Sequence, residues 1–136
     1  MVRWEYFTPF PYLIIIRDDQ ISVKDENKVT QFNAQSNKVL LEINSIILGS
    51  IRGTLLEDEK NFLTVFYENS SSWIANLKPL SARLKLSLSE IVIYFDRKDF
   101  NVNRIDLTEP GGDCTRITFT GEILNQPIAD EKFMVP

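Results

Sequence analysis

The side chains able to do acid–base or nucleophilic chemistry are few. The 136 residues include 19 Asp and Glu, one Cys and no His. Without histidine no Ser-His-Asp or Cys-His nucleophile can form, and no His-ligated zinc, copper or non-haem iron. The single Cys114 excludes an intrachain disulfide and any multi-thiolate metal centre. Chemistry is left to carboxylates, and Asp18, Asp19, Glu90 and Asp106 are the candidates for a glycosidase-like pair. Turn preference accounts for Asp18-Asp19, and Asp106 reads as the outward residue between Ile105 and Leu107 on a strand. Glu57-Asp58-Glu59 lacks the spacing and central glycine of a calcium loop. No catalytic residue, metal or cofactor is therefore assigned. Cys114, in a threonine-rich strand-like stretch, reads as a small half-buried filler.

The elements that must position any site follow from composition and period. At 43% hydrophobic and 25% charged the chain is globular, and its length suits one domain over residues 1–136. A net charge of −4 argues against a nucleic-acid partner, which calls for a basic face. Tyr12–Ile16 and Ile91–Phe95 are the longest apolar runs, too short to span a bilayer as helices. Residues 2–32 read as an antiparallel meander: an aromatic strand, a Pro9/Pro11 break, a β-branched strand buried on both faces, and two further strands. The turns between those strands are Asp18-Asp19 and Asp25-Glu26-Asn27. Val39, Leu40, Ile43, Ile46 and Ile47 then recur at helical spacing, with Asn33 or Ser36 as cap and Gly49 as stop.

Residues 51–61 read as a solvated loop, and 79–88 fit either alternation or a helical turn. Strands at 62–67 and 73–77 and a clear meander from Ile91 onward complete about nine strands, read as one antiparallel sheet. A sheet of that size tends to curl. The expected class is α+β, mostly β: a curved antiparallel sheet, an open half-barrel, with one or two helices covering its concave face.

Several stretches resemble a known family. Arg3-Trp4-Glu5-Tyr6 followed by Pro9 and Pro11 is similar to the "RWEY…P.P" strand and turn of the periplasmic lipoprotein carriers, the LolA-type proteins. Val102–Leu107, the Gly112-Asp113 turn, Thr115–Phe119, Asn125-Gln126-Pro127-Ile128 and Phe133 resemble the family's C-terminal third in the same order. The likeness covers nearly the whole chain and looks closest to divergent Bacteroides-type members. It implies a carrier, not an enzyme, that shields lipoprotein acyl chains in an apolar hollow. It further implies transfer from an inner-membrane lipoprotein-release transporter to an outer-membrane acceptor, with the full-length protein in the periplasm.

On that resemblance the inward positions Trp4, Tyr6, Ile14, Ile16, Ile93, Phe95, Ile105, Leu107, Ile117 and Phe119 are the expected cavity lining. Val39, Leu40, Ile43, Ile46 and Ile47 are the expected lid. On that resemblance the chain is expected to lack the family's N-terminal helix and first strands, and with them a counterpart of the lid-locking arginine; Arg3 is not given that role. The strand at 2–7 is expected to be an open edge able to pair with another chain in a dimer. A second reading keeps the same scaffold as a non-catalytic lipid-binding or protein-interaction module.

Overall fold

The computed structural model describes residues 1–26 and 28–136. Asn27, in one of the expected turns, lies outside them. The strands are β1 (Val2–Tyr6), β2 (Tyr12–Arg17), β3 (Gln20–Asp25), β4 (Lys28–Asn33), β5 (Phe62–Glu68), β6 (Ser72–Pro79), β7 (Glu90–Asp96), β8 (Val102–Thr108) and β9 (Cys114–Thr118). The helices are α1 (Lys38–Arg52) and α2 (Ala82–Lys85). All strand pairs are antiparallel, so the class is α+β and mostly β, as expected. The strands form two sheets, β1-β2-β3-β4 and β5-β6-β7-β8-β9, where the meander pattern predicted one. The reason is the connection at 34–61. It holds α1 and two 3-10 turns, so β4 and β5 are not joined as a hairpin, and each ends its own sheet.

The chain forms two compact units, Met1–Ile43 with Ile123–Pro136, and Asn44–Glu122. In the first, strand alternation puts Val2, Trp4, Tyr6, Tyr12, Ile14, Ile16, Ile21, Val23 and Phe32 on one face of the sheet. Ile14, Ile16, Ile21 and Ala34 are its buried centre, and Leu40 and Leu41 of α1 pack against them. Leu13 and Ile15 point to the opposite face and are also buried. The C-terminal 3-10 turn Asp130–Phe133 packs on β1 and β2. Arg3 Nη1 donates to the Lys132 carbonyl at 2.8 Å and Lys24 Nζ to the Pro136 carbonyl at 3.2 Å. So β2 is buried on both faces, as its unbroken apolar run implies.

In the second unit Phe62, Ala75, Leu77, Ile91, Ile93, Val102, Ile105 and Leu107 share one face and are buried. A bulge between Tyr94 and Phe95 shifts the β7–β8 register, so Phe95 pairs with Val102.

The helix limits differ from the sequence expectation. Asn37 caps α1: its Oδ1 accepts the Leu40 N–H at 3.1 Å and its carbonyl accepts the Leu41 N–H at 3.3 Å. Asn33 serves the preceding 3-10 turn instead, with Oδ1 accepting the Gln35 N–H at 2.8 Å. The helix continues through Gly49 to Arg52. An interior glycine costs about 1 kcal/mol, too little to break a helix that buries Ile46, Ile47 and Ser50. Gly53, at φ +76°, follows its end. The expected loop at 51–61 contains a 3-10 turn, Thr54–Glu57, that buries Leu55. The 79–88 stretch is helical at its centre, with Ser81 Oγ accepting the Leu84 N–H at 3.3 Å. Leu84 and Leu88 are buried and Leu86 is 82% exposed, as a four-residue spacing requires and alternation does not.

Candidate functional site

The four candidate carboxylates do not form a catalytic pair. Asp18 lies in the β2–β3 turn at φ +51°, with its side chain 87% exposed and 3.8 Å from Arg17. Asp19 is exposed beside it. Glu90 accepts a hydrogen bond from Asn76 Nδ2 at 2.7 Å. Asp106 does face away from Ile105 and Leu107, yet it is buried, because two arginines close over it. Arg104 Nε and Arg116 Nε donate to its Oδ1 at 2.9 and 3.0 Å. Arg104 Nη2 and Arg116 Nη2 donate to its Oδ2. Hydrogen bonding from Arg104 chiefly, against the opposing effect of burial, and then from Arg116, holds the carboxyl below the usual carboxylate range. It stays ionised near neutrality and has no proton to give.

Arg104 also lies over the Tyr94 ring at 4.3 Å. The strand spacing Arg104-x-Asp106 was the available signal for this cluster, since alternate residues share a face. Its second arginine comes from β9 through the Asp106–Arg116 register. Cys114 is exposed on that same edge strand, not half-buried. β9 is short and has no neighbour beyond it, so strand character there does not bring burial. Among the described residues no three His, Cys, Asp or Glu cluster as metal ligands.

The expected apolar lining divides between the two units. Trp4, Tyr6, Ile14 and Ile16 share the face of the first sheet on which Leu40 and Leu41 pack. Two residues along from the Trp4–Ile14 pair, Tyr6 and Tyr12 meet edge to face at 6.0 Å between ring centres. There the face runs into an open groove of about 890 Å³ lined by Tyr6, Thr8, Pro9, Phe10, Tyr12, Asp25, Glu26 and Lys28. Tyr6 is 49% exposed and Phe10 72%. The groove residues Pro9, Phe10 and Tyr12 are not among the lining residues expected from sequence, although aromatics flanking a proline break are the signal.

In the second unit Ile93, Ile105 and Leu107 sit on one buried face, with Phe95 and Ile117 half-buried beside them. Phe119 follows β9, its N–H donating to the Asn103 carbonyl at 3.0 Å, and is half-buried. Of the expected lid residues, Ile46 and Ile47 are buried and Leu40 packs on the first sheet, whereas Val39 and Ile43 are exposed. α1 is thus apolar on more than one side, with part of that surface uncovered. No helix among the described residues is long and apolar enough to cross a membrane.

A sequence model of one protein family, described as outer membrane lipoprotein carrier protein LolA, matches residues 1–136, the whole chain. No curated protein matches it.

Proposed function

Because the chain belongs to the LolA family of outer membrane lipoprotein carriers, we propose that it shields lipoprotein acyl chains by burying them against its apolar sheet surface. No covalent step is involved. Family membership over the full chain carries this reading, and the aromatic groove at the end of the first apolar face supports it. Burying one CH₂ is worth about 0.8 kcal/mol, so one acyl chain supplies on the order of 10 kcal/mol. A carrier must also release its load. The buried Ile14 and Ile16 under Leu40 and Leu41 supply a competitor: the helix residues occupy apolar surface that cargo would take, which lowers net affinity.

In this reading Tyr6, Tyr12 and Phe10 receive the first part of a chain, and Trp4, Ile14 and Ile16 become accessible when α1 shifts. Ile93, Ile105 and Leu107 are reserve lining, reached only by displacing what covers them, with half-buried Phe95, Ile117 and Phe119 at their margin. Exposed Val39 and Ile43 are positioned to touch cargo without loosening the fold. The partners are a lipoprotein-release transporter in the inner membrane and an acceptor at the outer membrane, and the site of action is the periplasm.

The test is binding of a fluorescent diacylated lipopeptide. Tyr6→Glu puts a charge in the groove at a half-exposed position, so folding is retained. Burying that carboxylate under an acyl chain costs at least ~2 kcal/mol, which weakens binding by roughly 30-fold or more. Lipopeptide binding that is absent in the parent protein, or unchanged in Tyr6→Glu, refutes the reading. The buried centre of the second sheet, with Ile91, Ile93 and Ile105, is what the interaction-module reading would require throughout, and absence of lipid binding would favour that reading.

A further inference from the structure

The connection between β1 and β2 holds apolar surface that neither core takes up. From Tyr6 to Ile16 the chain carries no charge, and within that span Phe7-Thr8-Pro9-Phe10-Pro11 joins the paired Tyr6 and Tyr12. Phe7 is 77% exposed and Phe10 72%, the two most exposed aromatic rings among the described residues. Paired on one short loop, they are an apolar contact surface and not scattered surface residues. Phe10 lines the aromatic groove. Phe7 lines neither that groove nor the buried cluster beneath α1, so the fold gives it no covering.

Polarity at this end of the first sheet is ordered. The paired row Tyr6, Tyr12, Asp25, Lys28 crosses the sheet from β1 to β4. The loop with Phe7 and Phe10 stands at its aromatic side, and the turn after β3, with Glu26, stands at its charged side. Tyr6 and Tyr12 lie between, each an apolar ring ending in a hydroxyl, the kind of side chain that suits the boundary between lipid and water. Asp25, Glu26 and Lys28 supply both signs of charge, as complements to the ammonium and phosphate of a zwitterionic headgroup. Pro9 and Pro11 have no N–H, so the loop carries fewer donors that would lose water on entering an apolar layer.

We propose that the β1–β2 loop docks this end of the chain on a lipid surface of zwitterionic headgroups, with Phe7 and Phe10 at the acyl boundary. Irregular backbone is not stable deeper in hydrocarbon, so contact stops at that boundary. The choice of a lipid surface rests on the carrier reading. The groove that Phe10 lines then opens against the bilayer, and an acyl chain passes between the two without crossing water.

Flotation with phosphatidylcholine vesicles, at lipid concentrations up to the millimolar range, tests it. The parent chain is expected to float with the vesicles. Phe7→Ser and Phe10→Ser each weaken partition on the order of tenfold, since each takes one ring from the boundary. The double variant no longer floats; circular dichroism checks that its fold is kept. Replacing part of the lipid with anionic phosphatidylglycerol weakens binding, because the chain carries a net charge of −4. Phe7 lies outside the groove, so Phe7→Ser binds the fluorescent lipopeptide as the parent does and hands it to vesicles more slowly. A parent that binds lipopeptide but does not float overturns the docking and leaves the carrier reading standing. A parent that floats without binding lipopeptide keeps the docking and removes the carrier reading. Flotation that persists in the double variant or requires anionic lipid, or transfer from Phe7→Ser at the parent rate, also overturns the proposal.

Discussion

Replacing Asp106 with Asn tests whether the arginine clamp is a structural element of the second sheet. The carboxylate is 11% exposed, while Arg104 and Arg116 side chains are 30% and 58% exposed. Hydrogen bonds to a charged group contribute about 1.5–3 kcal/mol, and the more exposed Arg116 pair belongs near the ~0–1 kcal/mol of a surface ion pair. Asn keeps the shape and one acceptor oxygen, but turns an NH₂ donor toward guanidinium donors. The expected loss is about 2 kcal/mol, or roughly 6–10 °C in Tm for a chain of this size. Urea and thermal unfolding followed by circular dichroism measure it.

The sign of the pH dependence follows from the direction of the shift. The folded-state pKa of Asp106 is depressed, so its contribution is complete above the unfolded carboxylate range. It is lost as pH falls through the lower, folded-state value. The gap between parent and Asp106→Asn should therefore be constant near neutrality and close below about pH 4. A stability difference under about 0.5 kcal/mol, or a gap that stays open in acid, would show that the clamp does not hold the sheet.

Two further outcomes follow from burial. Ile93→Ala removes a side chain with no exposed surface in the middle of the second sheet and should cost about 3 kcal/mol in urea unfolding; a cost below ~1 kcal/mol would mean that the site collapses or was never tightly packed. Cys114, exposed on an edge strand, should react with a maleimide in the native protein as fast as in urea. Strong native protection would place it under a covering element.

Much of the local structure is legible in the residues because strand and helix periods are local properties. The alternation Ile105-Asp106-Leu107 put two residues on the core face and one on the opposite face, and the run Tyr12–Ile16 marked a strand with both faces covered. The apolar arc of 39–48 marked α1, but its ends depended on competition between neighbouring caps. Asn33 was taken by a 3-10 turn, which left Asn37 to start the helix.

Absence of histidine and the single cysteine limited the chemistry from the start, since no folding can supply a side chain that is not encoded. Motif order also carried the family resemblance. Tertiary structure alone decided the rest. Whether nine strands make one sheet or two depends on which edges meet across a long connection, and periodicity does not record that. Asp106 became buried because register delivered Arg116 from another strand. Cys114 became exposed because its strand lies at an edge. Tyr6 and Phe10 became a groove rim because the proline break sits at the end of an apolar face. In each instance the deciding contact joins residues distant in sequence, where pairing is set by the packing of whole elements and not by the local order of residues.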